Sequence, residues 1–325
     1  MDERSLVLVI GPGRSGTSSM AGSLAASGFH VPASIKGNDT NPTGFFEPRW
    51  VVDLHKRFLK GTGLGNLDSD PDGQTVVAEI KADPEVRRTI REWLEARFET
   101  NPRLVLKDPR MVWFTELWVD VARELGVEPG FVIMLRHPSE VSASRTTYYS
   151  VRDVAAVSGW INVALLSEQL TADSPRKFVH YPDLLADWRT ELAGVGNSLG
   201  ITFDPPIDQR PHPVDELLDP ALRRMSPGWD EIAVPRVLSD LADRTFDALL
   251  VEAGSDAPGD RAPIAALREE YRELWAFAQT MTRFHRLRQE EAIRRKTVRR
   301  VRSQLQQEAE SSGLLGKVRR RLGSH

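Results

Sequence analysis

The nine residues Gly11-Pro12-Gly13-Arg14-Ser15-Gly16-Thr17-Ser18-Ser19 hold more chemistry than any other stretch of the chain. The glycines free the backbone to turn tightly, Arg14 adds a fixed positive charge, and hydroxyl residues follow at what reads as a helix start. Backbone N–H groups at such a start lack intrahelical partners and carry the positive end of the helix dipole, so they attract anions. Gly13, Arg14, Ser15, Gly16, Thr17, Ser18 and Ser19 are therefore candidate ligands of a phosphate-like group. The plainer alternative is a tight turn between a strand and a helix. It accounts for the glycines and Pro12 but not for the Arg and the hydroxyls.

The apolar run 6–10 supplies the strand that empties into this turn. Gly11-x-x-x-x-Gly16 has the glycine spacing of a nucleotide phosphate-binding loop, yet Thr17 stands where an ATP-hydrolysing loop carries Lys. Two further polar clusters end strand-like runs. Lys107-Asp108-Pro109-Arg110 closes the run 103–107, and Arg136-His137-Pro138 follows the run 131–135. A fourth strand is expected over 177–181, with helices over 17–27, 49–60, 84–100, 111–125, 138–147, 153–171 and 182–199. This alternation predicts an α/β fold: a P-loop-like parallel sheet flanked by helices, with a C-terminal basic helical extension. Ligands of open parallel sheets bind beyond the carboxyl ends of the strands, where all three polar clusters fall.

At 325 residues, with 40% hydrophobic and 27% charged residues, the chain has a globular composition and length enough for a sizeable core. The absence of cysteine excludes disulfides and thiolate metal sites. No apolar run approaches a bilayer span, and Met1-Asp2-Glu3-Arg4 lacks the basic region of a secretory signal, so a cytoplasmic location is expected. The net charge of −3 is unevenly spread: residues 283–325 hold 13 Lys and Arg against 4 Asp and Glu, a formal +9, which leaves −12 on the rest. The expected organisation is a globular domain over 1–253, a polar linker over 254–261 and a basic, coiled-coil-like tail over 262–325. Within the tail Leu267, Tyr271, Leu274, Phe277 and Ala278 recur at helical spacing, a packing or partner-facing stripe. The basic charge suits either a solvated helix or a docking element for an anionic membrane surface or a protein partner. Residues 61–73 read as a surface loop and a candidate lid. Trp113, Trp118, Trp160 and Trp188 are expected in the core.

Taken together, these motifs resemble the sulfotransferases that use 3′-phosphoadenosine 5′-phosphosulfate (PAPS). Arg14-Ser15-Gly16-Thr17-Ser18 is similar to the family's 5′-phosphosulfate segment. Arg136-His137-Pro138, with Ser144 eight residues after Arg136, is similar to its 3′-phosphate motif. Lys107-Asp108-Pro109-Arg110 is similar to the Lys/Arg-Asp-Pro-Arg segment of many bacterial members. The resemblance spans roughly residues 5–225 by family domain size and excludes the tail. It implies PAPS as co-substrate and in-line transfer of a sulfuryl group to a hydroxyl, with no metal required in principle. Arg14 then faces the departing oxygen, where many members carry Lys, and Arg136 and Ser144 hold the 3′-phosphate. Without the resemblance, Arg136 and Ser144 read equally as a helix-capping turn and an unrelated helix serine.

The acceptor must lose a proton, and Glu47, in the segment Asn41 to Pro48, is the candidate base. An apolar setting of Phe45, Phe46 and Trp50 would favour that role. Its alternative is a helix-start acid, and His55 is a rival base. Lys107 is expected to contact sulfuryl oxygens or steady the base, Asp108 and Arg110 to pair or cap, and Arg223-Arg224 to close over the nucleotide. Tyr148 and Tyr149 are candidates for stacking an acceptor. The Arg-Lys-Gly adenine-side motif of the cytosolic enzymes is absent. Two other classes stay open: a P-loop small-molecule kinase or NTPase, and a catalytically inactive binding protein on the same fold. The excess of Arg over Lys, 35 against 8, points to a GC-rich bacterial genome. The expected acceptor is a glycolipid, polysaccharide or lipophilic metabolite, met in the cytoplasm or peripherally at the inner membrane face. Nothing points to nucleic acid.

Overall fold

The computed structural model describes residues 4–38, 44–219, 227–254, 261–311 and 313. Residues 41–43 of the segment before Glu47, the Arg223-Arg224 pair, residues 255–260 of the expected linker and residues 314–325 of the tail lie outside the described residues. The chain divides into two compact units, Met1–Tyr271 and Arg272–His325.

The first unit is built on four parallel strands, β1 (Ser5–Ile10), β2 (Arg103–Lys107), β3 (Gly130–Leu135) and β4 (Arg176–His180), in the order β2-β1-β3-β4. All six residues of β3 and the last five of β1 are buried. Unbroken apolar runs of this kind belong to strands covered on both faces. The covering helices are α1 (Thr17–Ala25), α2 (Arg49–Leu59), the short α3 (Gly73–Val76) and α4 (Ala78–Ala82), α5 (Pro84–Thr100) and α6 (Met111–Glu124). They continue with α7 (Pro138–Tyr149), α8 (Asp153–Leu170), α9 (Tyr181–Ala186), α10 (Trp188–Leu199), α11 (Val214–Leu217) and α12 (Arg236–Ala253). Because β2 and β3 flank β1 on opposite sides, the chain reverses its winding direction between β1 and β3. The crevice beyond their carboxyl ends is where such sheets bind ligands. The glycine loop and Arg136 lie at that edge.

Each expected strand is present, with bounds moved by one residue at most. The helix expected over 182–199 is two, because Asp187 leaves the helical region at φ −148° and its carboxylate caps α10 by accepting the Thr190 N–H at 3.2 Å. Helix α12, left unassigned by the sequence reading, buries Leu238, Leu241, Ala242, Phe246 and Leu249. The four tryptophans expected in the core are buried. The expected lid is tethered. Gly65 O accepts from Trp113 Nε1 at 2.8 Å, Asn162 Nδ2 donates to Asp68 O and Asp70 O at 2.9 Å each, and Tyr271 Oη donates to Ser69 O at 2.6 Å.

The first unit extends into the final helix, α13 (Ala262–Ser311), because Ile264, Leu267 and Tyr271 are buried. Burial, with Asp68 and Asp70 nearby, pushes the Tyr271 hydroxyl above its ordinary range. The stripe of the sequence reading ends here: Leu274 is half-buried, and Phe277 and Ala278 are exposed. In the second unit α13 presents Phe277, Met281, Phe284, Leu287, Val298 and Leu305 to solvent among its arginines. No helix among the described residues is long and apolar enough to cross a membrane.

Candidate functional site

The loop from Gly11 to Gly16 depends on backbone that side chains would block. Gly11 has φ +121°, and a Cβ there would lie 2.6 Å from Met134 O of β3. Gly16, at φ +87°, is the N-cap of α1, and a Cβ on it would penetrate the Tyr181 ring. Among the described residues no side chain caps α1. Arg14 itself has φ +78°, a conformation that costs a non-glycine residue about 1–3 kcal/mol and persists only where its surroundings enforce it.

Those surroundings come from α7 and the end of β3. Arg14 Nε donates to Ser144 Oγ at 2.9 Å, across 130 residues of sequence. Its guanidinium lies 5.0 Å from the Tyr148 ring centre and 5.9 Å from that of Tyr149. Arg136 Nη1 donates to Arg14 O at 3.3 Å, and Arg136 Nε donates to Glu140 Oε2 at 2.7 Å in a buried pair one helical turn apart. Trp160 Nε1 donates to Arg136 O at 3.1 Å. His137 is the N-cap of α7, accepting the Ser139 N–H at Nδ1, and Pro138 opens the helix. The structure thus brings Arg14, Arg136 and Ser144 together. It turns Tyr148 and Tyr149 toward Arg14.

Two polar groups here stand out for what they lack. Ser15 is fully buried, and its Oγ has no hydrogen-bond partner among the described residues. Arg145 Nε is likewise buried without a partner, and Arg145 Nη1 lies 3.9 Å from where a Gly13 Cβ would be. Leaving a buried donor unpaired costs about 1–3 kcal/mol. A loop whose three glycines carry no Cβ, an uncapped helix start and two orphaned donors fit a phosphate or phosphosulfate. Sequence reasoning passed over Arg145; its one available signal was adjacency to Ser144.

On the other side of α1 the candidates meet as an ion pair. Lys107, the last residue of β2, places Nζ 2.5 Å from Glu47 Oε1 and 3.2 Å from Ser18 Oγ. Both members are buried. The apolar setting expected around Glu47 is corrected in part. Phe46 packs toward Gly22 of α1 and Trp50 stacks on Trp93 with ring centres 4.6 Å apart, while the carboxylate meets an ammonium. Pro48 is the N-cap of α2, and no side chain caps that helix.

His55 is engaged at both ring nitrogens. Trp118 Nε1 can only donate, so His55 Nε2 accepts at 2.9 Å and Nδ1 carries the proton given to Asp108 Oδ2 at 2.9 Å. It is fully buried, with both ring nitrogens engaged in hydrogen bonds. Asp108 Oδ1 accepts from Arg110 Nη1 at 2.6 Å and Arg110 N at 3.0 Å. Burial alone would push the Asp108 carboxyl up, but the hydrogen bond from His55 and the charge and backbone N–H of Arg110 outweigh it and hold it below the usual carboxylate range.

Fold and site together define an α/β protein with a phosphate-loop-like glycine turn at the carboxyl edge of a parallel sheet. No protein-family model and no curated protein sequence matches the chain. Solved structures do. The sulfotransferase domain from the Synechococcus PCC 7002 olefin synthase is 18% identical, with a TM-score of 0.46 over 79% of this chain and 98% of that one. The sulfotransferase domain from the curacin biosynthetic pathway is 13% identical, with a TM-score of 0.39 over 82% and 97%. Sulfotransferase STF1 from Mycobacterium tuberculosis H37Rv is 15% identical, with a TM-score of 0.41 over 76% and 77%.

Proposed function

We propose that this chain is a PAPS-dependent sulfotransferase acting on a hydroxyl acceptor. The observation that carries the reading is the meeting of Arg14 with both Ser144 and Arg136 at the glycine loop. Candidate phosphate-binding side chains from two distant motifs meet beside one glycine loop, which suits a nucleotide that carries a phosphate at each end.

Transfer of a sulfuryl group, like that of a phosphoryl group, leaves the protein mainly positioning and charge stabilisation to perform. The donor supplies the sulfuryl group and a leaving 5′-phosphate. The loop from Gly13 to Ser19 holds that end through N–H groups and the Ser15 hydroxyl, and Arg14 offsets negative charge beside it. Removing one such charge donor typically costs about 10²–10³ in rate. Arg136 and Ser144 shape the 3′-phosphate end. Glu47 takes the acceptor proton, and Lys107 orients its carboxylate while Ser18 fixes the ammonium.

The proposed acceptor is a glycolipid, polysaccharide or lipophilic metabolite, with the basic tail docking the enzyme to an anionic membrane face or a protein partner in the cytoplasm. Incubation with ³⁵S-labelled PAPS and cell extract tests the reading. Label should pass to an extractable product and stop when Arg14 is replaced by Ala. Thermal stabilisation by ATP with magnesium, none by adenosine 3′,5′-bisphosphate and no label transfer would place the chain among the P-loop kinases instead.

A further inference from the structure

The loop meets a further guanidinium besides those of Arg14 and Arg136. Arg145 reaches it from α7, with Nη1 close to the Gly13 backbone. Among the described residues it has neither hydrogen bond nor carboxylate partner, and its Nε is shut off from water. The titratable groups near it are the Tyr149 hydroxyl and the Arg14 guanidinium. Burial is the largest influence on its guanidinium and pushes it below its ordinary value, which Tyr149 opposes and Arg14 reinforces. Arg nonetheless stays protonated at neutral pH. The folded protein therefore carries an uncompensated cation beside a second one, an arrangement that is unfavourable until an anion enters.

Arg136 is differently placed. Its Nε is engaged by Glu140 and its Nη1 by the Arg14 carbonyl, so part of its hydrogen-bonding capacity already fixes the loop. Ser144 and Arg145 of α7 both meet the Gly13–Arg14 part of the loop, Ser144 at Arg14 Nε and Arg145 beside the Gly13 backbone. We propose that Arg145 is the guanidinium that receives the nucleotide's 3′-phosphate, with Arg136 acting mainly as the positioning residue that holds Arg14 in its left-handed conformation. This rests on the PAPS-dependent reading above. A dianion at that point satisfies the buried Nε donor and neutralises the pair of like charges, and a planar fork suits a phosphate better than an ammonium does.

The test is calorimetric binding of adenosine 3′,5′-bisphosphate and of 5′-AMP to the full chain, wild type and Arg145→Gln, with Arg145→Lys as the charge-conserving control. Loss of a charge-assisted contact to the 3′-phosphate should weaken the bisphosphate about 10- to 100-fold and leave 5′-AMP within a few-fold. The Lys variant should recover part of the loss. The Arg145→Gln protein without nucleotide should melt at or above the wild-type temperature, because the substitution removes an uncompensated charge. An unchanged preference for the bisphosphate in Arg145→Gln, or equal weakening of both nucleotides, overturns this assignment alone. Markedly lower melting with unchanged preference identifies a structural residue and also overturns it. A wild-type protein that binds neither nucleotide overturns the parent reading together with this one.

Discussion

The Glu47–Lys107 pair separates a catalytic from a merely structural carboxylate. The two side chains are 11% and 5% exposed and meet at 2.5 Å, with Ser18 Oγ the other hydrogen-bond partner of the ammonium. Glu47→Gln leaves Lys107 charged and buried beside a neutral amide, and breaking such a pair from one side costs about 3–5 kcal/mol. Adding Lys107→Met removes the stranded charge, so the double variant should regain most of that stability. Turnover should behave in the opposite way. A general base contributes about 10²–10⁴ in rate, and no methionine can restore it, so both variants should stay slow. Urea unfolding followed by tryptophan fluorescence gives the first quantity, and single-turnover transfer of ³⁵S from PAPS gives the second. If Glu47→Gln turns over within threefold of wild type, or the double variant recovers rate along with stability, Glu47 is a structural partner of Lys107 and the base lies elsewhere.

Other consequences are independent of that pair. Gly16→Ala must place a Cβ inside the Tyr181 ring at φ +87°, so it should cost at least about 2 kcal/mol in urea unfolding; stability equal to wild type would mean the loop is looser than described. The Asp108 carboxyl is held below the unfolded value, so its contribution is present above about pH 4 and is lost as pH falls through the folded value. Asp108→Asn should therefore be most destabilising at neutral pH, with the gap to wild type narrowing in acid; a constant gap from pH 7 to about pH 3 would contradict the assignment. Deleting residues 283–325 removes a formal +9. It should abolish sedimentation with anionic vesicles while sparing transfer to a water-soluble acceptor, and unchanged sedimentation would end the docking proposal.

What could be read from the sequence was whatever a local pattern encodes. Strands buried on both faces appear as unbroken apolar runs, and the parallel topology forces the polar residues that follow them to one edge. The loop and Arg136 were therefore placeable before any coordinates. Pairings between distant side chains have no such signature. Nothing periodic links Glu47 to Lys107, 60 residues on, or His55 to Asp108 and Trp118, 53 and 63 residues on. His55 thus looked as eligible for proton transfer as any other histidine, until Trp118 and Asp108 claimed both nitrogens. Arg145 was hidden for a related reason. The sequence shows a cation on a helix, and only packing reveals that its Nε has no partner.

Affinity for adenosine 3′,5′-bisphosphate, compared with 5′-AMP, 3′-AMP and magnesium ATP in one calorimetric series, tests the two-phosphate clamp most directly. The clamp predicts one-to-one binding of the bisphosphate, weakened at least about 100-fold when either phosphate is removed. Equal affinity for a nucleotide lacking its 3′-phosphate, or tighter binding of magnesium ATP, would contradict it.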